Sequence, residues 1–313
     1  MTTTLNENAI STKRNSLDHL GGEIQYLQLC TNILHPSTPL RSGRNGITKS
    51  LFSPDILRFD LQNKSFPLLT TKKMYFKGIV EELLFFIRGD TNSKLLEEKG
   101  IKIWSKNTSR QFLDQNSFSL RQEGMMGPMY GFQWRHFNGK YDEETGRGSG
   151  GLDQMKELVD NLKKDPFSRR HLLTDYNPGM ARDGVLYPCH SIAVQFYVSE
   201  DGKFLDAFCF NRSSDVFLGL PFNIASTSLL VRLIAEVTGY AARFVNIAVG
   251  DAHIYQQHMD AVKEQITREV YSFPQLEINK KLSSVEDIER LTERDFTLLN
   301  YLSHAPIKAE MIA

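Results

Sequence analysis

Apolar residues recur at helical spacing from Ile24 to Leu34 and stop before His35-Pro36, where the restriction on a residue preceding proline favours a helix end. From Gly78 to Gly89 the chain is apolar almost all round, and its length and bounding glycines predict a buried helix interrupted by Glu81 and Glu82. The run PFNIASTSLLVRLIAEVTG predicts another, with Pro221 suited to the first turn and Gly239 to the C-terminal cap. Ile192 to Val198 and Phe204 to Phe210 are rich in aromatic and β-branched residues and are joined through Glu200-Asp201-Gly202, the pattern of a hairpin. The glycine-rich stretch from Tyr141 to Gly151 predicts a surface loop. Residues 1–20, rich in Thr, Asn and Ser, predict a flexible tail, and residues 21–313, with no internal repeat or strong linker, predict one domain.

Composition narrows the class without deciding it. A chain of 313 residues with 41% hydrophobic and 24% charged residues can bury a sizeable core without disulfides or metal. The 37 basic and 37 acidic residues cancel, which argues against a chain-wide footprint for nucleic acid and makes any anion site local. Three cysteines, Cys30, Cys189 and Cys209, leave one unpaired in any disulfide scheme and lack zinc-type spacing. No signal-type apolar run begins the chain and no uncharged run approaches membrane-spanning length, so a cytoplasmic or nuclear location is expected.

The sharpest chemical signal is Tyr187-Pro188-Cys189-His190 at the entrance to a strand-like run. Proline fixes the approach of the chain, and a nearby cation or helix dipole lowers a thiol toward the nucleophilic thiolate. A lone cysteine is more often buried structure, and the arginines change that balance. Arg169 and Arg170 lie upstream and Arg212 follows on the next strand, and guanidinium groups hold phosphate through paired hydrogen bonds. Ser213, Ser214 and Asp215 add hydroxyls and a carboxylate, with turn and cap roles as the competing reading for Asp215. Asn223 carries both a donor and an acceptor for an imide-like base edge, although an asparagine near a helix start ordinarily caps it. His253 and Tyr255 share a face if extended and could hold a sugar hydroxyl. Glu82, inside an apolar helix, is costly to bury ionised and suits a proton relay if its pKa rises; a wet helix edge would instead claim at least one of Glu81 and Glu82.

These pieces occur together in one known family. From about Tyr26 to Ala313 the chain resembles thymidylate synthase, through FPLLTTKK at 66–73, GIVEELLFFIRGDTN at 78–92, KIW at 102–104, GPMYGFQWRHF at 127–137, PCH at 188–190, DVFLGLPFNIAS at 215–226, GDAHIY at 250–255 and IKAEM at 307–311. The resemblance implies an α+β fold whose large mixed sheet packs against a twin, with helices on the other face. It implies addition of Cys189 to the pyrimidine of deoxyuridylate (dUMP), with 5,10-methylenetetrahydrofolate as cosubstrate, no metal, and thymidylate and dihydrofolate as products. It implies that Asn223 reads the uracil, that His253 and Tyr255 hold the deoxyribose, and that Arg212 and Ser213 meet the phosphate. Arg169 and Arg170 would come from the second subunit of a homodimer. Glu82 matches the proton-relay carboxylate, and Tyr130 and His190 line the same pocket. For the folate the matching positions are Ile103, Trp104, Asn107, Asp215, Leu218, Gly219, Phe222 and the closing segment around Met311.

The chain departs from the family at several places. Arg41-Ser42-Gly43-Arg44-Asn45-Gly46 stands where RTGTGT is usual, so either Arg41 or Arg44 could be the mobile phosphate ligand, with Arg44 better preserving the order of arginine, small polar residue and glycine. The path from Cys189-His190 to Gln195-Phe196 is one residue longer than in relatives, which predicts a bulge. Asn211 replaces glutamine, Tyr187 proline and Phe85 tryptophan. Two rivals share the fold: a pyrimidine nucleotide hydroxymethylase, against which Asn223 and Trp104 argue, and an inactive binding homologue, which would not need Cys189 together with Glu82.

Overall fold

The computed structural model describes residues 22–43 and 45–312; the expected tail at 1–20 and Arg44 lie outside the described residues. The first helix, α1 (Glu23–Leu34), buries Tyr26, Leu29, Cys30 and Ile33, the spacing of a single helical face, and ends at His35 as the pre-proline position predicts. Its first residue is fully buried, and the Glu23 carboxylate accepts from the amides and hydroxyls of Thr70 and Thr71 at 2.7 to 3.0 Å. That contact pins the start of α1 to the 66–73 segment, whose Lys72 donates to the Phe217 carbonyl below the site.

The buried helix foreseen around Gly78 runs as α2, Phe76–Ile87. Gly78 lies inside it instead of bounding it, because a Cβ there would come within 2.4 Å of the Tyr75 ring. The small helix α3 (Gly131–His136) packs its first residue on α2, where a side chain at Gly131 would strike the Phe86 backbone at 2.5 Å. An amphipathic helix, α4 (Gln154–Lys164), starts from an Asp153 cap, and the central helix α5 (Gly219–Thr238) ends at Gly239, whose φ of 82° is the left-handed cap expected there. The glycine-rich stretch around residue 145 is not a plain loop: Lys140–Asp142 and Arg147–Ser149 pair as a two-stranded hairpin, and its glycines serve the turn and packing against His136.

The main sheet takes in β1 (Leu40–Gly43), β2 (Gly46–Phe52), β3 (Leu57–Asp60), β6 (Leu172–Leu173), β7 (Ala193–Val198), β8 (Phe204–Asp215) and β9 (Ala241–Tyr255), with β4 and β5 forming the separate hairpin just described. Its order is β1-β2-β9-β8-β7-β6, with β3 beside the first half of β9. Only β8 and β9 run parallel, and α5 is the crossover between them, so the sheet is mixed and the fold α+β. The predicted hairpin is β7–β8, with β8 running on to Asp215. Its register holds without a shift from Ala193 to Val198, so the extra residue after His190 makes no bulge there. Ser191 takes it up outside the strand, in the left-handed region at φ 55°, with its amide donating to Asn211 Oδ1 at 2.9 Å.

One face of this sheet carries Leu205, Ala207, Cys209, Val194, Phe196, Val245 and Ile247 into the core against α5. The other leaves Leu172, Tyr197, Phe208 and Phe210 half exposed, an aromatic surface that the helices do not cover. Among the described residues α5 alone is long and apolar enough to cross a membrane, and most of it is core.

Candidate active site

The parallel strands β8 and β9 end side by side, and the N-terminus of α5 opens beside them. Backbone amides and the helix dipole converge there, the place where mixed sheets commonly take ligands. β8 delivers Arg212, Ser213 and Asp215 to this edge, β9 delivers His253 and Tyr255, and α5 delivers Asn223. Cys189 arrives on the segment entering β7 and is tied to β8 by Ser213 N donating to its carbonyl at 3.2 Å.

Tyr130 stands opposite the thiol, its hydroxyl 3.7 Å from Cys189 Sγ. Its φ of 45° is unusual for an aromatic residue, and it is held there by burial between Phe86, Trp104 and His190. Burial keeps the phenol protonated, well above its ordinary pKa, so it can donate to the sulfur once the thiol ionises. His190 stacks on Tyr130 with centroids 4.4 Å apart, and burial pushes its imidazole down to about 4, leaving it neutral at physiological pH. The thiol corrects one expectation. Burial raises the Cys189 pKa and outweighs the lowering by Tyr130 and Arg212, so the cation assists ionisation without producing a resting thiolate.

Glu82 is held by Trp104 in a desolvated setting. Trp104 Nε1 donates to Glu82 Oε1 at 2.7 Å, and desolvation lifts the carboxyl to about 7, so it holds or releases a proton near neutrality. Its neighbour Glu81 is structural: it pairs with Lys99 at 2.5 Å and accepts from the Glu293 amide. The wet-edge reading therefore fails for Glu81, which is buried in an ion pair, while Glu82 is the more open of the two.

Arg212 donates from Nε to the Pro188 carbonyl at 3.1 Å, next to the nucleophile. His253 Nδ1 lies 3.0 Å from Asp251 Oδ1 and 3.5 Å from Ser213 Oγ, which fixes the ring and leaves Nε2 for a ligand. His253 and Tyr255 share one face of β9, as extension predicts, with their rings edge to face at 5.2 Å. Asn223 is not a cap: α5 starts four residues earlier, and Ser214 Oγ lies 3.5 Å from its Oδ1, holding the amide in place. Arg41 bonds Ser50 at 3.4 Å and helps lower the Asp251 carboxylate, so β1 reaches this edge, while Arg44 lies outside the described residues.

Residues 24–313 match the family model for thymidylate synthase. The chain belongs to the thymidylate synthase family. The thymidylate synthase of Saccharomyces cerevisiae is 44% identical over 301 residues, spanning 92% of this chain and 96% of that protein. Those of Candida albicans and Agaricus bisporus are 41% and 43% identical over the same 92% of the chain and 97% and 98% of theirs. The activity follows: the chain is a methyltransferase that makes thymidylate from deoxyuridylate, with methylenetetrahydrofolate as cosubstrate.

The positions expected to meet the folate lie beside Glu82 and at the start of α5. Trp104 and Asn107 are buried, and Ile103, Leu218, Gly219 and Phe222 are partly open along one side. Asp215 Oδ1 accepts from the amides of Phe217 and Leu218 at 2.9 and 3.1 Å, shaping the turn into α5, so its cap-like role and its place in the site coexist. The C-terminal segment is anchored at this wall by His258 Nε2, 2.8 Å from the Glu310 carbonyl, while Met311 is exposed. Arg169 and Arg170 are exposed in the turn before β6, and the arginine that bears on the Cys189 thiol is Arg212. Sequence reasoning missed three groups. Asp251 was signalled by its two-residue spacing from His253 on an extended run. Nothing local marks His258, or Asp175, a fully buried carboxyl near Cys189 with no hydrogen-bond partner for either oxygen among the described residues.

Proposed function

We propose that Cys189 is the nucleophile of the thymidylate reaction and that the groups around it divide the remaining work. The observation carrying this reading is the meeting of Cys189, Tyr130 and Arg212 at one point: the sulfur faces a phenol donor, and the guanidinium is anchored on the carbonyl preceding the cysteine. The thiol gives up its proton as the sulfur bonds to C6 of the uracil, and the displaced ring electrons move toward O4, leaving C5 able to take a carbon. Methylenetetrahydrofolate supplies that carbon and then the hydride. Loss of the C5 proton and breakage of the C–S bond release the enzyme. Glu82, titrating near 7, moves protons at the pyrimidine edge, and Asn223 matches uracil by donating to O4 and accepting from N3–H. His253 and Tyr255 hold the 3′-hydroxyl of the deoxyribose, and Arg212, Ser213 and one of Arg41 and Arg44 hold the phosphate. Neutral His190 supports Tyr130 by stacking on it.

The folate fits the wall made by Ile103, Trp104, Asn107, Leu218, Gly219 and Phe222. An indole, apolar side chains and a buried amide suit a flat heterocycle, with the Asp215 carboxylate for its ring nitrogens and the segment around Met311 closing over it. Arg169 and Arg170 act across a homodimer. The half-exposed aromatic face of Leu172, Tyr197, Phe208 and Phe210 supports that partner, because a second sheet covers it with like residues. A single core linking Tyr26 to Phe296 supports residues 21–313 as one domain, and three free cysteines fit a reducing cytoplasm.

The test is incubation with deoxyuridylate and methylenetetrahydrofolate, following dihydrofolate absorbance and product mass, with Cys189→Ser as control. Thymidylate and dihydrofolate form together, and both vanish in the variant. A hydroxymethyl product without dihydrofolate, or an active serine variant, overturns the assignment.

A further inference from the structure

Arg212 is a long, exposed side chain, and holding such a chain in one pose costs about 2 kcal/mol of rotamer freedom. Two contacts restrain it. Nε is committed to the Pro188 carbonyl at 3.1 Å, and the guanidinium carbon lies 5.3 Å from the centroid of the Tyr187 ring, within cation–π range. Tyr187 is in turn fixed at its far end: its hydroxyl bonds the Tyr176 hydroxyl at 2.8 Å, and the two rings sit 5.9 Å apart at 56°. Among the described residues the two terminal nitrogens of Arg212 have no hydrogen-bond partner, so the fork that grips an anion is the part left open. The chain thus runs from Tyr176 through Tyr187 to a guanidinium that also bears on the nucleophile.

We propose that Tyr187, locked by Tyr176, is a positioning residue that holds Arg212 ready for the nucleotide phosphate, so that preference for nucleotide over nucleoside depends on a tyrosine pair behind the arginine. The proposal rests on the reading of Arg212 as a phosphate ligand. A proline at position 187 would supply neither the ring face nor the hydroxyl.

The experiment compares wild type with Tyr187→Ala, Tyr187→Phe, Tyr176→Phe and Arg212→Ala. It measures kcat and KM for deoxyuridylate and the inhibition constant of deoxyuridine, which lacks the phosphate. Tyr187→Ala raises KM about two- to five-fold, the value of an exposed cation–π contact, with kcat held within about two-fold. The two phenylalanine variants keep both rings and show a smaller rise of the same kind, which controls for misfolding in the alanine variant. Deoxyuridine inhibits all of them like wild type. An unchanged KM in Tyr187→Ala, or equal loss of nucleotide and nucleoside affinity, overturns the proposal. If Arg212→Ala weakens nucleotide binding and Tyr187→Ala does not, the tyrosine proposal alone fails. If Arg212→Ala itself leaves KM unchanged, the phosphate reading fails and the proposal with it.

Discussion

Replacing Glu82 by glutamine removes a titration that the fold pays for in stability. In the folded chain this carboxyl is lifted by desolvation to about 7 from an ordinary 4.5. A group with a raised folded pKa contributes stability that is fully present below the unfolded value and is lost as pH rises through the folded one. At about 1.4 kcal/mol per pH unit, the interval from 4.5 to about 7 amounts to about 3 kcal/mol lost between mildly acidic and neutral solution. Glutamine keeps an acceptor for Trp104 Nε1 and has no proton to lose. The assay is urea denaturation of wild type and Glu82→Gln at pH 5 and pH 7.5, at one protein concentration because association shifts apparent stability. The difference between the two proteins should change by about 2.4 kcal/mol between those pH values, with the glutamine variant gaining on wild type as pH rises. A difference that stays constant would mean that Glu82 titrates as it does in the unfolded chain, and the relay assignment would lose its physical basis.

Three further outcomes follow from particular residues. Asp175→Asn removes a buried carboxyl held well above its ordinary pKa by desolvation, so wild type should lose stability as pH rises from about 4 relative to the variant, and a gain of about 1–3 kcal/mol at pH 8 is expected in urea titrations. Equal pH slopes would contradict it. Gly239→Ala should cost about 1 kcal/mol, read as a lowered urea midpoint, because the position sits at φ 82° with open space around it and only backbone strain is introduced. Mixing Cys189→Ser with Arg169→Ala/Arg170→Ala, each inactive alone, should restore about a quarter of wild-type sites through random reassortment of subunits. No recovery after confirmed exchange would rule out arginines acting across the interface.

Local pattern carried the long helices and the hairpin well. The face of Tyr26, Leu29, Cys30 and Ile33 and the Pro221 to Gly239 frame are local statements, and the folded chain keeps them. What failed was anything set by distant contacts. Gly78 looked like a boundary and is a packing glycine beneath Tyr75, and the stretch near residue 145 looked like loop and forms a hairpin against the third helix. The extra residue after His190 was expected inside a strand; a left-handed Ser191 places it outside. For the site, residue types were legible and their energetics were not. Arginines near Cys189 implied a lowered thiol, and only the packing around Tyr130 reveals that burial wins. Glu82 and Glu81 were indistinguishable in sequence, because Lys99 and Trp104 set their surroundings from 18 and 22 positions away.

The indole of Trp104 is bonded to the Glu82 carboxyl, and the chain has only one other tryptophan, Trp134, whose Nε1 is buried away from any partner among the described residues. Intrinsic fluorescence near neutral pH should therefore report Glu82 ionisation through Trp104. On the proposed folate wall, ligand entry should perturb that same bond, and a fluorescence titration of the unlabelled protein would read it. The carboxyl and its reporter come as a pair: changing Trp104 to gain a cleaner optical background would unbalance the acid it was meant to observe.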